Sequence, residues 1–219
     1  MSTAKVQPDS GVSNAVAASP ALRSAVKRGI DVTFAALLLV CLSPLLAALA
    51  LLVKLQDGGA VIYRRRVVGT RGEFDAFKFR TMRPDADRWL AARPELMREF
   101  ERNFKLADDP RVTFAGALMR KFSLDELPQL FNVVRGEMSL VGPRMITAAE
   151  LEKYGANRDL LLTVRPGLTG YWQVNGRQSV SYEDRVQMDV FYIRHWSIAM
   201  DFAIIAKTPF AILVGKGAY

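Results

Sequence analysis

"LLLVCLSPLLAALALL", Leu37 to Leu52, is apolar enough for a bilayer, yet Ser43 and Pro44 stand at its centre. The apolar block runs from Ile30 to Leu55, and its charges are Asp31 near the start and Lys54 near the end. About 20 apolar residues span a hydrocarbon core, so the length fits a crossing. Pro44 removes one backbone donor and clashes with the carbonyl four residues earlier, at Val40, which bends a helix. The polar groups freed there need partners, and the Ser43 hydroxyl is at hand. Arg23, Lys27 and Arg28 precede the block, and Lys54, Arg64, Arg65, Arg66 and Arg71 follow it. A simple crossing expects one flank rich in Lys and Arg and one poor. Two arrangements stay open, a kinked crossing and a segment that enters and turns back; the two basic flanks weigh toward the second. A cleaved signal peptide fits less well, because the block starts late and exceeds an ordinary apolar region of that kind. A buried helix of a soluble core is a further reading of the same composition.

Composition bounds the partners. The chain has 219 residues, a formal charge of +8 and a pI near 9.8. Such a balance favours anionic partners: acidic headgroups, phosphorylated small molecules or nucleic acid. Cys41 is the only cysteine and His195 the only histidine, which excludes a disulfide within one chain and a zinc site of clustered Cys and His. The division expected is a flexible tail over 1–22, a membrane segment over 23–56 and a catalytic domain over 57–219.

Beyond the block, "VIYRRRVVGTRGEFDAFKFRTM" alternates apolar and charged residues. It predicts a hairpin with strands near Val61–Val68 and Glu73–Phe79, turning at Gly69 to Gly72. Arg83 to Phe104 spaces Trp89, Leu90, Leu96, Met97 and Phe100 as one or two amphipathic helices interrupted at Pro94. A further short helix falls within Arg111 to Phe122. Toward the end, Val186, Val190, Ile193 and Trp196 lie near one helical face. Asp201, Lys207 and Pro209 break the later apolar run, which argues against a second spanning helix. Helices on the membrane surface, with Tyr192 and Trp196 at the headgroups, are expected there; a soluble core helix is the plainer reading.

The densest chemistry lies in "RKFSLDELPQLFNVVRGEMSLVGPR", Arg120 to Arg144. Leu127, Leu130, Phe131 and Val134 predict an amphipathic helix. Ser123 precedes Glu126 by three residues, the spacing of a capping box, so Glu126 reads as a helix cap and Asp125 as an acid at the positive helix end. The same geometry serves catalysis. Free N–H groups at a helix N-terminus attract phosphate, a carboxylate there stays ionised and nucleophilic, and its neighbour can hold Mg²⁺. Arg120 and Arg144 bracket the acids and can neutralise a pyrophosphate through forked hydrogen bonds, although either alone reads as a surface charge. Gly142-Pro143-Arg144 forms a rigid turn that aims Arg144. In "VRPGLTGYWQVNGR", Val164 to Arg177, Tyr171 and Trp172 beside Arg165 and Arg177 suit a nucleotide base, an interfacial lipid or core packing of Trp172.

These stretches, with "KFRTM" at Lys78 to Met82, resemble the bacterial sugar transferases, the monotopic polyprenyl-phosphate sugar-1-phosphate transferases that begin exopolysaccharide and O-antigen assembly. The resemblance runs from about Lys27 to Phe210, with several long motifs in order. It implies a mainly α fold with a small β-hairpin (α+β), in which a re-entrant membrane helix-break-helix and amphipathic interfacial helices carry a compact cytosolic catalytic domain. It implies transfer of a hexose-1-phosphate from a UDP-sugar to polyprenyl phosphate with release of UMP. The nucleophile falls on Asp125, which would form a covalent phosphosugar intermediate. Glu126 would help hold Mg²⁺ together with Asp125. Phosphate handling falls on Arg120 and Arg144, with Lys78 and Arg80 lining the same pocket, and the membrane helix break falls on Ser43 and Pro44. The partners implied are the UDP-sugar, polyprenyl phosphate and membrane lipids, without nucleic acid; a homodimer is left open. The place implied is the cytoplasmic face of the bacterial inner membrane. Met145 departs from the family's Pro-Arg-Pro, which bears on the stiffness of that turn. "GYWQVNGR" and the stretch 93–105 sit closer to the hexose-phosphate branch that uses UDP-galactose or UDP-glucose. Many members of that branch carry additional N-terminal spanning helices, which this chain is expected to lack.

Two rivals remain. A metal-dependent glycosyltransferase could use Asp85-Ala86-Asp87 as its DxD motif, but it would release UDP rather than UMP. A non-catalytic, basic membrane adaptor would keep its function without Asp125.

Overall fold

The computed structural model describes residues 20–103, 106, 109–176 and 180–214. The tail before Pro20, and Arg177, lie outside them. Two helices come first, α1 (Pro20–Cys41) and α2 (Ser43–Asp57). A hairpin follows, β1 (Ile62–Gly69) and β2 (Gly72–Phe79). Next come α3 (Ala86–Ala91), α4 (Pro94–Asn103) and α5 (Phe114–Lys121). A 3-10 turn (Leu124–Glu126) leads into α6 (Gln129–Arg135) and β3 (Ser139–Val141). Helices α7 (Ala148–Leu151) and α8 (Arg158–Leu161) flank a second 3-10 segment, and β4 (Gly167–Thr169) pairs in parallel with β3. The described chain closes with α9 (Tyr171–Asn175), α10 (Tyr182–His195) and α11 (Ile198–Val214). The described chain is mainly helical, with a small antiparallel hairpin, as expected. The two-stranded parallel pair was not expected.

The apolar block breaks where Pro44 requires. α1 and α2 meet at an angle of 64°, across Leu42 at φ −91° and ψ 1°. Ser43 Oγ donates to the Val40 carbonyl at 2.8 Å. That is the carbonyl Pro44 leaves without its helical partner, so the break is satisfied within the chain. Among the described residues no single helix is long and apolar enough to cross a membrane, while this bent pair is so taken together.

Both ends of the pair stand on the same body. At the start, Lys27 Nζ donates to Asp201 Oδ2 at 2.6 Å and to the Val141 carbonyl at 3.1 Å. Arg28 reaches the Val133 and Val134 carbonyls at 2.6 and 2.9 Å, at the negative end of α6. Asp31, buried, accepts from Ser139 Oγ and the Leu140 N–H. At the far end Asp57 is clamped by Arg80, with Nη1 2.7 Å from Oδ2. Between these feet Val40 and Leu55 are about three-quarters exposed (73% and 75%), with Leu37, Leu51 and Leu52 beside them in the chain also exposed. Water-facing monomers seldom carry so much contiguous apolar surface.

The hairpin pairs Gly69 with Gly72, and Gly72 sits at φ +100°, a conformation that side chains resist. Pro94 opens α4, where its missing N–H has no helical partner to lose. The main core joins Val67 and Ala76 of the hairpin, Leu130 and Val133 of α6, and Met138, Leu140, Val141 and Met145 around β3. Phe74, Tyr192, Ile204 and Ala35 of α1 complete it. Each of its valine, leucine, isoleucine, phenylalanine and methionine side chains contributes about 1.5–3 kcal/mol when fully buried.

Two expectations change. Tyr192, placed at the headgroups by the sequence, is 2% exposed, and its hydroxyl donates to Asp201 Oδ1 at 2.7 Å and to the Val141 carbonyl at 3.1 Å. Its aromatic bulk fills the core while its hydroxyl satisfies a buried acid. On α6 the buried side is Gln129, Leu130, Asn132 and Val133, whereas Phe131 and Val134 are exposed. The rotation arises because Asn132 faces the hairpin, where it finds backbone partners.

Candidate active site

The site is assembled by backbone joints that bring β2, α5 and α6 together. Asn132, fully buried, accepts from the Phe77 N–H at 3.0 Å and donates to the Asp75 carbonyl at 2.8 Å and to Glu137 at 2.7 Å. Its amide therefore acts as one more peptide on the edge of β2 and fixes α6 against the hairpin. Thr113 caps α5, accepting from the Gly116 N–H at 3.0 Å, and its own N–H donates to the Thr81 carbonyl at 3.0 Å. A Cβ on Gly116 would lie 2.0 Å from that Thr81 carbonyl, so only glycine lets α5 approach so closely. The last turn of α5 then delivers Arg120, whose Nε donates to Thr81 Oγ1 at 2.9 Å.

The chain reverses at Ser123, which sits at φ +55° and ψ +23°, the left-handed region. This is the one non-glycine residue at positive φ among the described residues. Such a conformation costs about 1–3 kcal/mol and concentrates at functional sites. It carries Leu124–Glu126 inward, so that Asp125 is 7% exposed. The capping box read from Ser123 and Glu126 is not formed: Ser123 makes no capping bond, and Glu126 faces β2 instead. A capping box exists at Thr147 and Glu150.

Lys78 Nζ donates to Glu126 Oε1 at 2.6 Å, with both side chains less than a fifth exposed. The hairpin register pairs Tyr63 with Lys78 and Arg65 with Ala76, so Lys78 and Arg65 share one face. Arg65 bonds Glu150 at 2.9 Å and also acts on Glu126. Burial pushes Glu126 up, but Lys78, then Arg144 and Arg65, outweigh it and hold the carboxyl below its ordinary value. Burial likewise pushes Asp125 up, Glu126 adds to the rise, and Lys78 and Arg120 only partly oppose it. Asp125 therefore sits above the ordinary aspartate value. It is harder to ionise than the helix-end reading implied, because a three-residue 3-10 turn offers little dipole against the loss of water.

Arg144 comes from the strand side. Gly142 N–H donates to the Thr169 carbonyl at 3.0 Å and Gly167 N–H to the Pro143 carbonyl at 2.8 Å. A Cβ on Gly167 would lie 2.1 Å from the Gly142 nitrogen. Backbone pairing thus stiffens the turn that aims Arg144. Met145, standing where the family pattern has proline, is a core residue at 3% exposure. Trp172 is buried, and the Arg144 guanidinium lies 5.6 Å from its ring centre. Core packing and an arginine platform are both realised at this residue.

Lys78, Arg120 and Arg144 accordingly gather around Asp125 and Glu126. Arg80 does not join them: it is clamped by Asp57 and donates to the Ala60 and Met82 carbonyls. Ser43 and Pro44 lie at the α1–α2 break. Arg65, Thr81 and Asn132 were missed by the sequence reading; the two-residue alternation that puts Arg65 and Lys78 on one face was a signal for the first. The DxD match is dispersed, with Asp85 exposed and held by Arg83 and Asp87 exposed on α3. Among the described residues no three His, Cys, Asp or Glu side chains converge as a metal cluster. The acid pair still fits Mg²⁺, which takes one or two carboxylates and completes its shell with water and substrate phosphates.

Comparison with known proteins follows the same lines. The profile of the bacterial sugar transferase family matches residues 22–215. An exopolysaccharide production protein ExoY of Sinorhizobium fredii is 46% identical over 198 residues, covering 88% of each chain. An undecaprenyl-phosphate galactose phosphotransferase of Salmonella typhimurium is 44% identical over 89% of this chain and 42% of its own. A UDP-glucose:undecaprenyl-phosphate glucose-1-phosphate transferase of Escherichia coli is 38% identical over 89% of this chain and 41% of its own. The chain thus spans nearly all of the first relative and under half of the other two. A match of this extent, centred on the stretch that builds the acid pair, makes the chain a member of the bacterial sugar transferase family.

Proposed function

We propose that the chain is a polyprenyl-phosphate sugar-1-phosphate transferase that takes a hexose-1-phosphate from a UDP-sugar and releases UMP. The observation that carries this reading is a buried acid pair ringed by four cations, Lys78, Arg65, Arg120 and Arg144. The surplus positive charge suits a diphosphate donor and a phosphate acceptor meeting at one place. Asp125 attacks the sugar-bearing phosphorus through a carboxylate oxygen, and the bond to the bridging oxygen breaks, sending UMP away with that oxygen. A phosphate oxygen of the polyprenyl phosphate then attacks the same phosphorus. The acyl-phosphate bond breaks, the Asp125 carboxylate is restored, and polyprenyl-diphosphate-sugar results. Arg120 and Arg144 hold phosphoryl oxygens by charge-assisted bonds, and Lys78 keeps Glu126 ionised. Asp125 and Glu126 would hold Mg²⁺, which would supply charge that favours the ionised acids and shields the diphosphate.

The helix pair enters the membrane and turns back at Ser43 and Pro44, leaving the catalytic body on the cytoplasmic face. The reading is supported by the two feet of the pair, Lys27-Arg28-Asp31 and Asp57, which stand on one body with exposed apolar residues between them. A labelling cysteine placed before Lys27 is expected on the same side as the C-terminus; opposite sides would make the pair a crossing. The reaction is tested by UMP release from a panel of UDP-sugars with polyprenyl phosphate and Mg²⁺. UMP release is expected with a UDP-hexose; release of UDP, or no release from any sugar, contradicts the proposal.

A further inference from the structure

Helix α10 carries an arginine that the proposed reaction leaves without a role. The Arg185 guanidinium lies 4.8 Å from the centre of the Trp172 ring, the same ring that Arg144 approaches to 5.6 Å. The two arginines repel, and burial together with Arg144 lowers the pKa of Arg185. Arg185 Nε is buried and has no hydrogen-bond partner, and no carboxylate forms an ion pair with Arg185 among the described residues. Its place is unfavourable in a second way, since it is the fourth residue of α10, near the end where a helix favours anions. A buried donor left unsatisfied is destabilising, and the charge of Arg144 beside it adds to the cost.

The nearest way out within the chain is not taken. Asp189 follows Arg185 by four residues on α10, at the spacing of a helical ion pair. Asp189 is 1% exposed, accepts from the Tyr154 hydroxyl at 2.8 Å and is acted on by the charge and backbone N–H of Arg144. Arg185 and Asp189 therefore stand one turn apart without forming an ion pair. Arg185 lies instead against Trp172, within the electrostatic reach of Arg144. A planar guanidinium held on an aromatic ring keeps its donors in a fixed fork, which matches a tetrahedral dianion.

We propose that Arg185 and Arg144 form a paired anion site that binds a phosphate dianion, with Trp172 as its floor. The inference rests on the proposed reaction, which supplies two sources of that chemistry: the departing nucleoside monophosphate and the incoming prenyl phosphate. Arg144 acts on both Arg185 and Glu126, so the bound phosphate lies next to the acid dyad.

The test measures equilibrium binding of UMP and of a short-chain prenyl phosphate to the full chain in nanodiscs, for wild type, Arg185→Gln and Arg185→Lys, with melting temperatures alongside. Arg185→Gln is expected to weaken one of the two ligands about tenfold or more, and Arg185→Lys by less, since it keeps the charge and loses the fork. Loss confined to UMP assigns the site to the leaving group; loss confined to the prenyl phosphate assigns it to the acceptor. Unchanged affinity for both ligands, with or without a lower melting temperature, overturns the proposal and leaves Arg185 as a packing partner of the Trp172 ring. If wild type binds neither ligand, the transferase reading itself fails, a result distinct from the previous one.

Discussion

Asp125 and Asp201 are equally hidden, at 7% and 8% exposure, yet they are built in opposite ways. Asp201 receives Lys27 at 2.6 Å, the Tyr192 hydroxyl at 2.7 Å and the Trp196 indole N–H at 3.1 Å. Asp125 receives no donor from another side chain among the described residues, although Lys78 and Arg120 are close enough to act on it. A buried acid with its lone pairs filled is architecture, joining α1, α10 and α11 at one point. A buried acid left open among cations is held at a cost in stability, and this is the signature of a group kept for chemistry.

The sharpest way to break this contrast is Asp125→Asn. It should lower turnover about 10⁴-fold or more, as loss of a nucleophile does, without lowering the melting temperature. Asp201→Ala should do the reverse. Removing one member of a buried pair costs about 3–5 kcal/mol, read by chemical denaturation, while the folded fraction keeps forming product. Comparable losses of stability in both variants would erase the distinction.

Intermediate in size is the response to pH. In the proposed reaction Asp125 acts as the carboxylate, and its pKa lies above the ordinary aspartate value, so kcat/KM should fall as pH drops through that raised value. Lys78→Gln removes a cation that favours the ionised form of both acids. The acid limb should therefore move to higher pH. A shift to lower pH would contradict the assigned charges. The smallest effect expected is at the joint that aims Arg120. Thr113→Ala removes the cap of α5 and should cost about 1 kcal/mol in stability, with a modest rise in KM for the UDP-sugar.

The same contrast explains what the sequence made legible. Local chemistry was readable: Pro44 broke the helix, Ser43 closed the gap it left, and alternation placed the hairpin. The acid pair and its arginines were readable because they are adjacent or share a motif. Asp201 could not be ranked against Asp125, because its three donors come from residues 27, 192 and 196. Lys27 and Arg28 read as topology signals and prove to be tertiary anchors as well. Arg80 read as a phosphate ligand from its place near Lys78, but it lies one residue past the end of β2 and its guanidinium is held by Asp57. The capping box failed because Ser123 takes the left-handed conformation that swings Asp125 inward.

The central claim is that Asp125 becomes covalently loaded. Protein incubated with the donor UDP-sugar and Mg²⁺, without polyprenyl phosphate, should release about one UMP per active site and gain the mass of one sugar phosphate, mapped to Asp125. Asp201→Asn should still load and Asp125→Asn should not. UMP release only when polyprenyl phosphate is present, with no adduct on Asp125, would contradict the account.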